Sequence, residues 1–159
     1  MEIHEPDIRD IPVLASAAFA AWEQGVAPHV SETARAKMNE VDFSDFIRRD
    51  PEQVLAAYLD GQPVGFVATE YGDGYISDLW VDPNHEGKGV GRALLGAIFE
   101  RITTRDLDSA TLEVLTANTR ALELYQHLGF VISWQGMRPD GYLSEPLHKT
   151  GMLKALKGI

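Results

Sequence analysis

Three alternating glycines, Gly87, Gly89 and Gly91, stand where an apolar, strand-like run gives way to a helical pattern. A glycine has no Cβ, so its backbone can approach a bound group closely. The first turn of a helix also exposes unpaired N–H groups and carries a partial positive charge. The junction therefore predicts an anion site, most often one for phosphate or pyrophosphate. A tight turn without a ligand is the alternative interpretation.

The spacing of these glycines argues against two familiar phosphate-binding motifs. The Walker motif needs four residues between its glycines and a Gly-Lys-Ser/Thr ending, which this loop lacks. The dinucleotide-binding pattern G-x-G-x-x-G opens an early βαβ unit. Here the pattern is G-x-G-x-G, and it follows two predicted hairpins in the middle of the chain.

A second pair of polar residues, Asn118 and Tyr125, lies seven positions apart in a helical pattern that Gly129 ends. Residues at this spacing share one face of a helix. Taken alone, the pair is consistent with a helix N-cap and a core aromatic side chain. Only a wider motif favours a functional role for both.

The elements that position these residues are predicted from hydrophobic periodicity and turn residues. Helices are predicted at 7–21, 31–49 with a Ser31 cap, 89–104 and 118–128. Strands are predicted at 2–4, 53–59, 63–70, 75–81, 108–115, 130–134 and 149–156, with turns at 60–61, 72–74 and 139–141. The lysines of the last strand suggest a sheet edge. This order predicts a mixed α/β sheet.

Composition limits the possible functions. The 159 residues, 45% of them hydrophobic, predict one domain over 1–159 with a proper core. The net charge of −10 argues against nucleic-acid binding. The absence of cysteine, of a long apolar run and of a signal-like N-terminus favours a cytoplasmic protein that is not in a membrane. The histidines lack metal-ligand spacing, so no metal site is expected.

Two motifs in fixed order carry a family resemblance. The first is Leu79-x-Val81-x-Pro83 with the glycine loop, and the second is Asn118-x-x-Ala121-x-x-x-Tyr125-x-x-x-Gly129-Phe130. Together they resemble the GCN5-related N-acetyltransferase (GNAT) superfamily, over about residues 52–134. The resemblance implies an α/β fold with a mixed, mostly antiparallel twisted sheet of about six to seven strands and about four helices. It also implies a V-shaped split between two parallel strands.

The resemblance implies that acetyl-CoA binds with its pyrophosphate on the amides of the glycine loop and its pantetheine arm along Leu79 and Val81. The predicted cofactor-binding residues are Leu79, Trp80, Val81, Glu86, Gly87, Lys88, Gly89, Val90, Gly91, Arg92, Asn118, Ala121 and Tyr125. Glu86 departs from the Gln or Arg usual in the family, and a carboxylate should repel pyrophosphate. We expect Lys88 and Arg92 to offset this, with somewhat weaker CoA binding or with Glu86 turned to solvent.

The same resemblance implies two catalytic residues. Tyr125 corresponds to the tyrosine that gives a proton to the leaving thiolate. The attacking amine must first lose a proton, because its pKa is about 10.4. Glu113, within Leu-Glu-Val, resembles the base of the protein N-terminal acetyltransferase branch; Asp78, Glu70 and a water relay are alternatives.

The predicted function is an acetyl-CoA-dependent N-acetyltransferase in which a primary amine attacks the thioester directly. The alternative is a non-catalytic acyl-CoA-binding or sensing module with the same fold. The predicted acceptor is a small-molecule amine, a protein N-terminus or a lysine, and a homodimer is plausible. Four aromatic residues are candidates to line the acceptor pocket: Phe19, Trp22, Tyr75 and Tyr142. For Phe19 and Trp22, three apart on the first helix, packing against the sheet is the favoured role.

Overall fold

A computed structural model describes residues 1–140 and 142–157, and its elements follow the predicted order. The strands in this part of the chain are β1 (Glu2–His4), β2 (Val54–Leu59), β3 (Gln62–Thr69), β4 (Ile76–Val81), β5 (Ser109–Leu115), β6 (Val131–Asp140) and β7 (Glu145–Ala155). The α-helices are α1 (Ile11–Gly25), α2 (Glu32–Lys37), α3 (Glu40–Arg49), α4 (Val90–Thr104) and α5 (Thr119–His127).

The strands form two antiparallel sheets, with orders β1-β2-β3-β4 and β5-β7-β6. The sheets meet at one parallel bridge between Tyr75 and Thr111, where the Thr111 N–H donates to the Gly74 carbonyl oxygen at 2.8 Å. Beyond this bridge β4 and β5 are not paired, and both strands line the same opening. The predicted V-shaped split between two parallel strands is therefore confirmed.

Gly74 lies at the closed end of the split. A Cβ on this residue would overlap the carbonyl oxygen of Ser109 on β5. The backbones of the two strands can come together here only because position 74 has no side chain. The residue that the sequence marks as part of a turn thus also joins the two sheets.

Two clusters of apolar side chains cover the two faces of the first sheet. One cluster packs α1 and α3 against one face, through residues such as Leu14, Phe43 and Phe66. The other packs α4 between the opposite face and the second sheet, through residues such as Leu95 and Met152. Alternate residues of the same strands supply both clusters, since successive strand side chains point to opposite faces.

The helical region predicted at 31–49 is divided into two helices. Ser31 caps α2 as predicted, accepting the Ala34 N–H at 3.1 Å. Asn39 then begins α3, and its side chain forms a capping box with Asp42. In one continuous helix the N–H groups after Asn39 would bond within the helix. Because a second helix starts here, side-chain caps satisfy the first N–H groups of both helices. The first helix is also displaced, starting at Ile11 after a short 3-10 turn rather than at residue 7.

The last two strands are longer than predicted. The sequence predicts Pro139 in a turn and leaves Pro146 outside the last strand, yet the two prolines face each other in the β6–β7 ladder. Proline is tolerated on an edge strand and near a strand start, which are the positions that these two residues occupy. The predicted turn at 139–141 is partly wrong, since Pro139 and Asp140 belong to β6, and Gly141 lies outside the described residues.

The position of β7 corrects another expectation. The strand lies between β5 and β6 and pairs with both, so its lysines do not mark a sheet edge. Within the described ranges, no helix has the length and apolar character needed to cross a membrane.

Substitution of Gly74 by alanine should destabilise the fold by about 2 kcal/mol, because the new methyl group must displace the β5 backbone. Gly96→Ala is the matched control: Gly96 lies inside α4 with open space around its Cβ position, and alanine there should stabilise by up to about 1 kcal/mol. Urea unfolding of both variants measures the difference. Equal stability of Gly74→Ala and wild type would contradict a tight junction at this residue.

Candidate active site

The split between β4 and β5 is a cavity of about 570 Å³. Its walls come from α1, α3, β4, β5, α5 and the chain around the β6–β7 turn. The polar residues that line it include Glu70, Tyr75, Asp78, Glu113, Asn118 and Tyr125. The cavity thus gathers the predicted catalytic residues and all three candidate bases around one space.

One edge of β4 presents unused backbone groups to this cavity. The Asp82 N–H donates to the Val64 oxygen at 2.8 Å, so the backbone groups of Asp82 point towards β3. Backbone groups alternate in direction along a strand. Those of Trp80 therefore face β3, whereas those of Leu79 and Val81 point into the split. An extended ligand can add to this edge as a further strand.

Trp80 contributes its side chain to the cavity wall. Its Nε1–H donates to Asp78 Oδ2 at 2.9 Å, and its ring meets Phe43 edge-on at 5.5 Å between centroids. The backbone of Trp80 is engaged with β3, so of the three predicted β4 residues only Leu79 and Val81 offer main-chain groups to a ligand.

The glycine loop lies at the wide end of the split. Gly87 and Gly89 have φ of 75° and 78°, in the left-handed region that favours glycine. Gly89 is the N-cap of α4, and the first helical bond runs from the Ala93 N–H to the Gly89 oxygen at 3.0 Å. The preceding amides, at residues 90–92, have no partner within the helix. These are the amides of the predicted anion site, and they lie next to the end of β4.

Glu86 is paired with a residue that the sequence analysis missed. Its Oε2 lies 2.9 Å from a guanidinium nitrogen of Arg120 in the first turn of α5. Lys88 and Arg92, the expected compensating residues, are exposed nearby. Only tertiary structure brings residues 86 and 120 together. The pair neutralises the carboxylate beside the predicted pyrophosphate site and links the loop to α5 across the mouth of the split.

Asn118 has a defined structural role as the N-cap of α5. Its Oδ1 accepts the Ala121 N–H at 3.3 Å. Its amide nitrogen lies 3.2 Å from the position that a Cβ on Gly25 would occupy, so the end of α1 packs closely against it. Asn118 and Ala121 both line the cavity as well. Capping and ligand contact are therefore compatible at this position.

Tyr125 extends from α5 into the cavity. Its ring meets Phe130 at 5.7 Å between centroids in an edge-to-face arrangement. Burial, together with the charge of Asp78, raises the pKa of the Tyr125 hydroxyl above its ordinary value. Loss of its proton is disfavoured, so the group stays protonated and able to donate at neutral pH.

The three candidate bases have different environments. Glu113 is exposed on β5. Glu70 forms an ion pair with Arg49 at 3.2 Å. Asp78 is half-buried, and burial raises the pKa of its carboxyl group although hydrogen bonds from Trp80 and Ser77 oppose the shift.

These three acids also affect the pKa of Tyr75. Burial and then the charges of Glu113, Asp78 and Glu70 raise the pKa of Tyr75 to about 12. A nearby negative charge disfavours ionisation of a tyrosine. The raised pKa therefore indicates that all three carboxylates lie near Tyr75, at the closed end of the cavity.

The predicted aromatic lining is largely present. Trp22, Tyr75 and Tyr142 line the cavity. Phe19 instead stacks on Trp22 at 6.0 Å between centroids and packs against the core. The opposite wall carries an ion pair between Asp140 and Lys149, 3.1 Å long, which no sequence motif predicts.

Comparison with known proteins identifies the family. Residues 17–130 match the model described as the acetyltransferase (GNAT) family. The chain belongs to the GNAT family. The family predicted from the two motifs is thus confirmed.

Relatives of this GNAT chain include the mycothiol acetyltransferase of Propionibacterium freudenreichii, which is 34% identical over 136 residues. The match covers 80% of this chain and 41% of that protein. A second mycothiol acetyltransferase, from Acidimicrobium ferrooxidans, is covered over 38% of its length. The chain therefore spans about two fifths of the curated relatives that it matches.

Solved structures share the whole GNAT fold of this chain. A GCN5-related N-acetyltransferase from Rhodopseudomonas palustris has a TM-score of 0.78 at 28% identity, with 97% of this chain and 94% of that chain covered. The PaiA N-acetyltransferase from Thermoplasma acidophilum, solved in complex with coenzyme A, has a TM-score of 0.74 at 21% identity, with 97% and 98% covered. The predicted α/β fold class is confirmed.

Removal of the Arg120 guanidinium should weaken CoA binding. Arg120→Ala leaves Glu86 unpaired beside the pyrophosphate site, and we expect about a three- to tenfold rise in Kd at low ionic strength. The change should shrink as salt is added, because the groups are solvent-exposed. Isothermal titration with CoA measures both effects.

The double variant Glu86→Gln, Arg120→Ala is the control for charge neutralisation. It lacks the uncompensated carboxylate, so its Kd should return close to that of wild type. A Kd for Arg120→Ala equal to the wild-type value would show that the ion pair has no influence on the cofactor site.

Proposed function

We propose that this chain is an acetyl-CoA-dependent N-acetyltransferase that acetylates a primary amine by direct attack on the thioester. One observation carries the proposal: a single cavity has the open edge of β4 on one wall and the buried Tyr125 hydroxyl on another. The first suits an extended acyl carrier, and the second suits protonation of a leaving group. Family membership supports the reaction class.

The residues present fit acetyl-CoA. The left-handed glycines and the free amides at residues 90–92 suit its pyrophosphate. The inward-facing backbone groups of Leu79 and Val81 suit the pantetheine arm. When bound, acetyl-CoA supplies the thioester carbonyl that the amine attacks. An inward N–H of β4 stabilises negative charge that develops on the carbonyl oxygen.

Tyr125 is proposed to donate its proton to the departing sulfur. A thiol has an ordinary pKa of about 8.5, below that of a phenol. The burial that raises the pKa of Tyr125 also disfavours a thiolate in the same cavity, so the departing sulfur takes up a proton more readily there than in water. Proton transfer from the hydroxyl then accompanies bond cleavage.

We further propose that residues 1–159 act as one acetyltransferase unit, since both apolar clusters share strands of the first sheet. The acceptor is a small-molecule amine or a protein amino group. The alternative function, a non-catalytic acyl-CoA-binding module, drew its support from Glu86 and from the undefined base. The ion pair with Arg120 removes the first of these arguments.

Release of free thiol from acetyl-CoA tests the function. The protein is incubated with a panel of primary amines that contains monoamines, polyamines, amino acids and peptides, with a sample lacking amine as control. Release that depends on one class of amine establishes catalysis and identifies the acceptor class. CoA binding with no amine-dependent release from any class would favour the binding module.

Tyr125→Phe should lower kcat by about 100-fold, the low end of what general acid catalysis contributes, while the KM for acetyl-CoA changes little. Because the pKa of Tyr125 is raised, the wild-type rate should show no fall from deprotonation of this residue between pH 7 and about pH 10. Steady-state kinetics across pH measure both. An unchanged kcat would remove Tyr125 from the proposed role.

A further inference from the structure

We propose that Asp78 is the general base that takes a proton from the acceptor ammonium group. The inference rests on the proposed function and assigns the one role in it that the motifs leave open. It depends on where Asp78 lies along β4, on what holds its carboxylate, and on how the rival carboxylates are engaged.

The position of Asp78 follows from the direction of the split. The glycine loop follows β4, so an extended carrier enters at Val81 and passes Leu79 towards the closed end at Tyr75. Residues of a strand are about 3.3 Å apart. Asp78 comes next after Leu79 in this direction, so its carboxylate borders the space where the reacting end of the carrier arrives. It lines the same cavity as Tyr125.

Asp78 and Tyr125 lie on different walls of this space. Tyr125 belongs to α5, and its pKa is raised by burial and, to a smaller extent, by the charge of Asp78. An amine bound between them has a proton acceptor on one side and a proton donor for the leaving sulfur on the other. Such a division of roles is what an acid–base pair requires.

The rival carboxylates are less suited to the role. Arg49 holds Glu70 in an ion pair at 3.2 Å, so the Glu70 carboxylate is already engaged by a cation. Glu113 is exposed and therefore hydrated. Asp78 is half-buried and hydrogen-bonded to the Trp80 indole at 2.9 Å, which fixes one of its oxygens. It combines a fixed position with a partly desolvated carboxylate.

Charged and titratable groups on every wall of the cavity surround Asp78. Burial and, to a smaller extent, the charge of Glu70 raise its pKa, whereas hydrogen bonds from Trp80 and Ser77 and the charge of Arg49 lower it, and burial dominates. The other titratable groups lining the cavity are Asp42 on α3, Tyr71 after β3, Tyr75 before β4, Glu113 on β5, Tyr125 on α5, Tyr142 in the turn, and the Asp140–Lys149 pair on β6 and β7.

The proton balance of the reaction is complete with these residues. The acceptor ammonium gives one proton to the Asp78 carboxylate and becomes a neutral amine. The nitrogen forms a bond to the carbonyl carbon, and the carbon–sulfur bond breaks. Tyr125 donates its proton to the sulfur and recovers one from the nitrogen, while Asp78 releases its proton to solvent. One ammonium and one thioester yield one amide, one thiol and one proton.

Trp80 is a positioning residue in this proposal. Its N–H stabilises the ionised form of Asp78, so its loss should raise the pKa of the carboxylate further. Since the base must be ionised to accept a proton, the rate falls as pH drops below that pKa. Trp80→Phe should therefore move the acid limb of kcat/KM to higher pH and recover activity as pH rises. A merely structural defect would lower the rate at all pH values.

The test uses the amine that gives thiol release in the panel and compares pH profiles of kcat/KM. Asp78→Asn should lower the rate by about 100-fold or more at neutral pH and abolish the acid limb. Glu113→Gln should leave that limb at its wild-type pH. Asp106→Asn, an equivalent change at an exposed site outside the cavity, is the matched control. CoA titration verifies that each variant still binds the cofactor.

Three outcomes contradict the inference. Wild-type kinetics in Asp78→Asn, with normal turnover by the wild type, overturn it and leave the proposed function standing. Loss of the acid limb in Glu113→Gln transfers the role to Glu113. No turnover by the wild type with any amine overturns the proposed function and this inference together.

Discussion

The single backbone bridge between Tyr75 and Thr111 determines how the two sheets can be used. It requires Gly74, since any side chain there would overlap the Ser109 carbonyl. Because the strands pair only at this point, the rest of the β4 edge keeps its N–H and C=O groups unused. An open strand edge is normally a liability that proteins cover. Here it lies inside a cavity, where only an extended ligand of suitable length can reach it.

The packing of the helices maintains this opening. α4 is buried between the sheets and starts at the wide end of the split, which places its unpaired amides beside the end of β4. α5 begins on the opposite wall, anchored by the Asn118 cap and by the Glu86–Arg120 ion pair. The two helices thus fix the two sides of the split. The distance between the groups on these two sides is therefore set by the packing of the fold. Positioning of this kind is a large part of what an acyltransferase must provide.

Charge is distributed unevenly along the cavity. The wide end has free amides and exposed cationic side chains, which suit an anionic carrier. The closed end has Glu70, Asp78 and Glu113 near Tyr75, with Arg49 beside Glu70. An amine approaching this end meets carboxylates, one of them desolvated. This distribution supports the proposal that an anionic carrier and a cationic acceptor meet in the split.

The sequence by itself determined what depends on local chemistry: the order of the elements, the glycine loop, the Ser31 cap and the two motifs that identify the family. Periodicity and turn residues act over a few positions, so these features are legible without coordinates. The tertiary structure decided what depends on distant residues meeting. Arg120 reaches Glu86, α3 starts at its own cap, the prolines of β6 and β7 face each other, and Asp78 is half-buried while Glu113 is exposed. Burial and long-range pairing set these properties, and neither is encoded in the spacing of neighbouring residues.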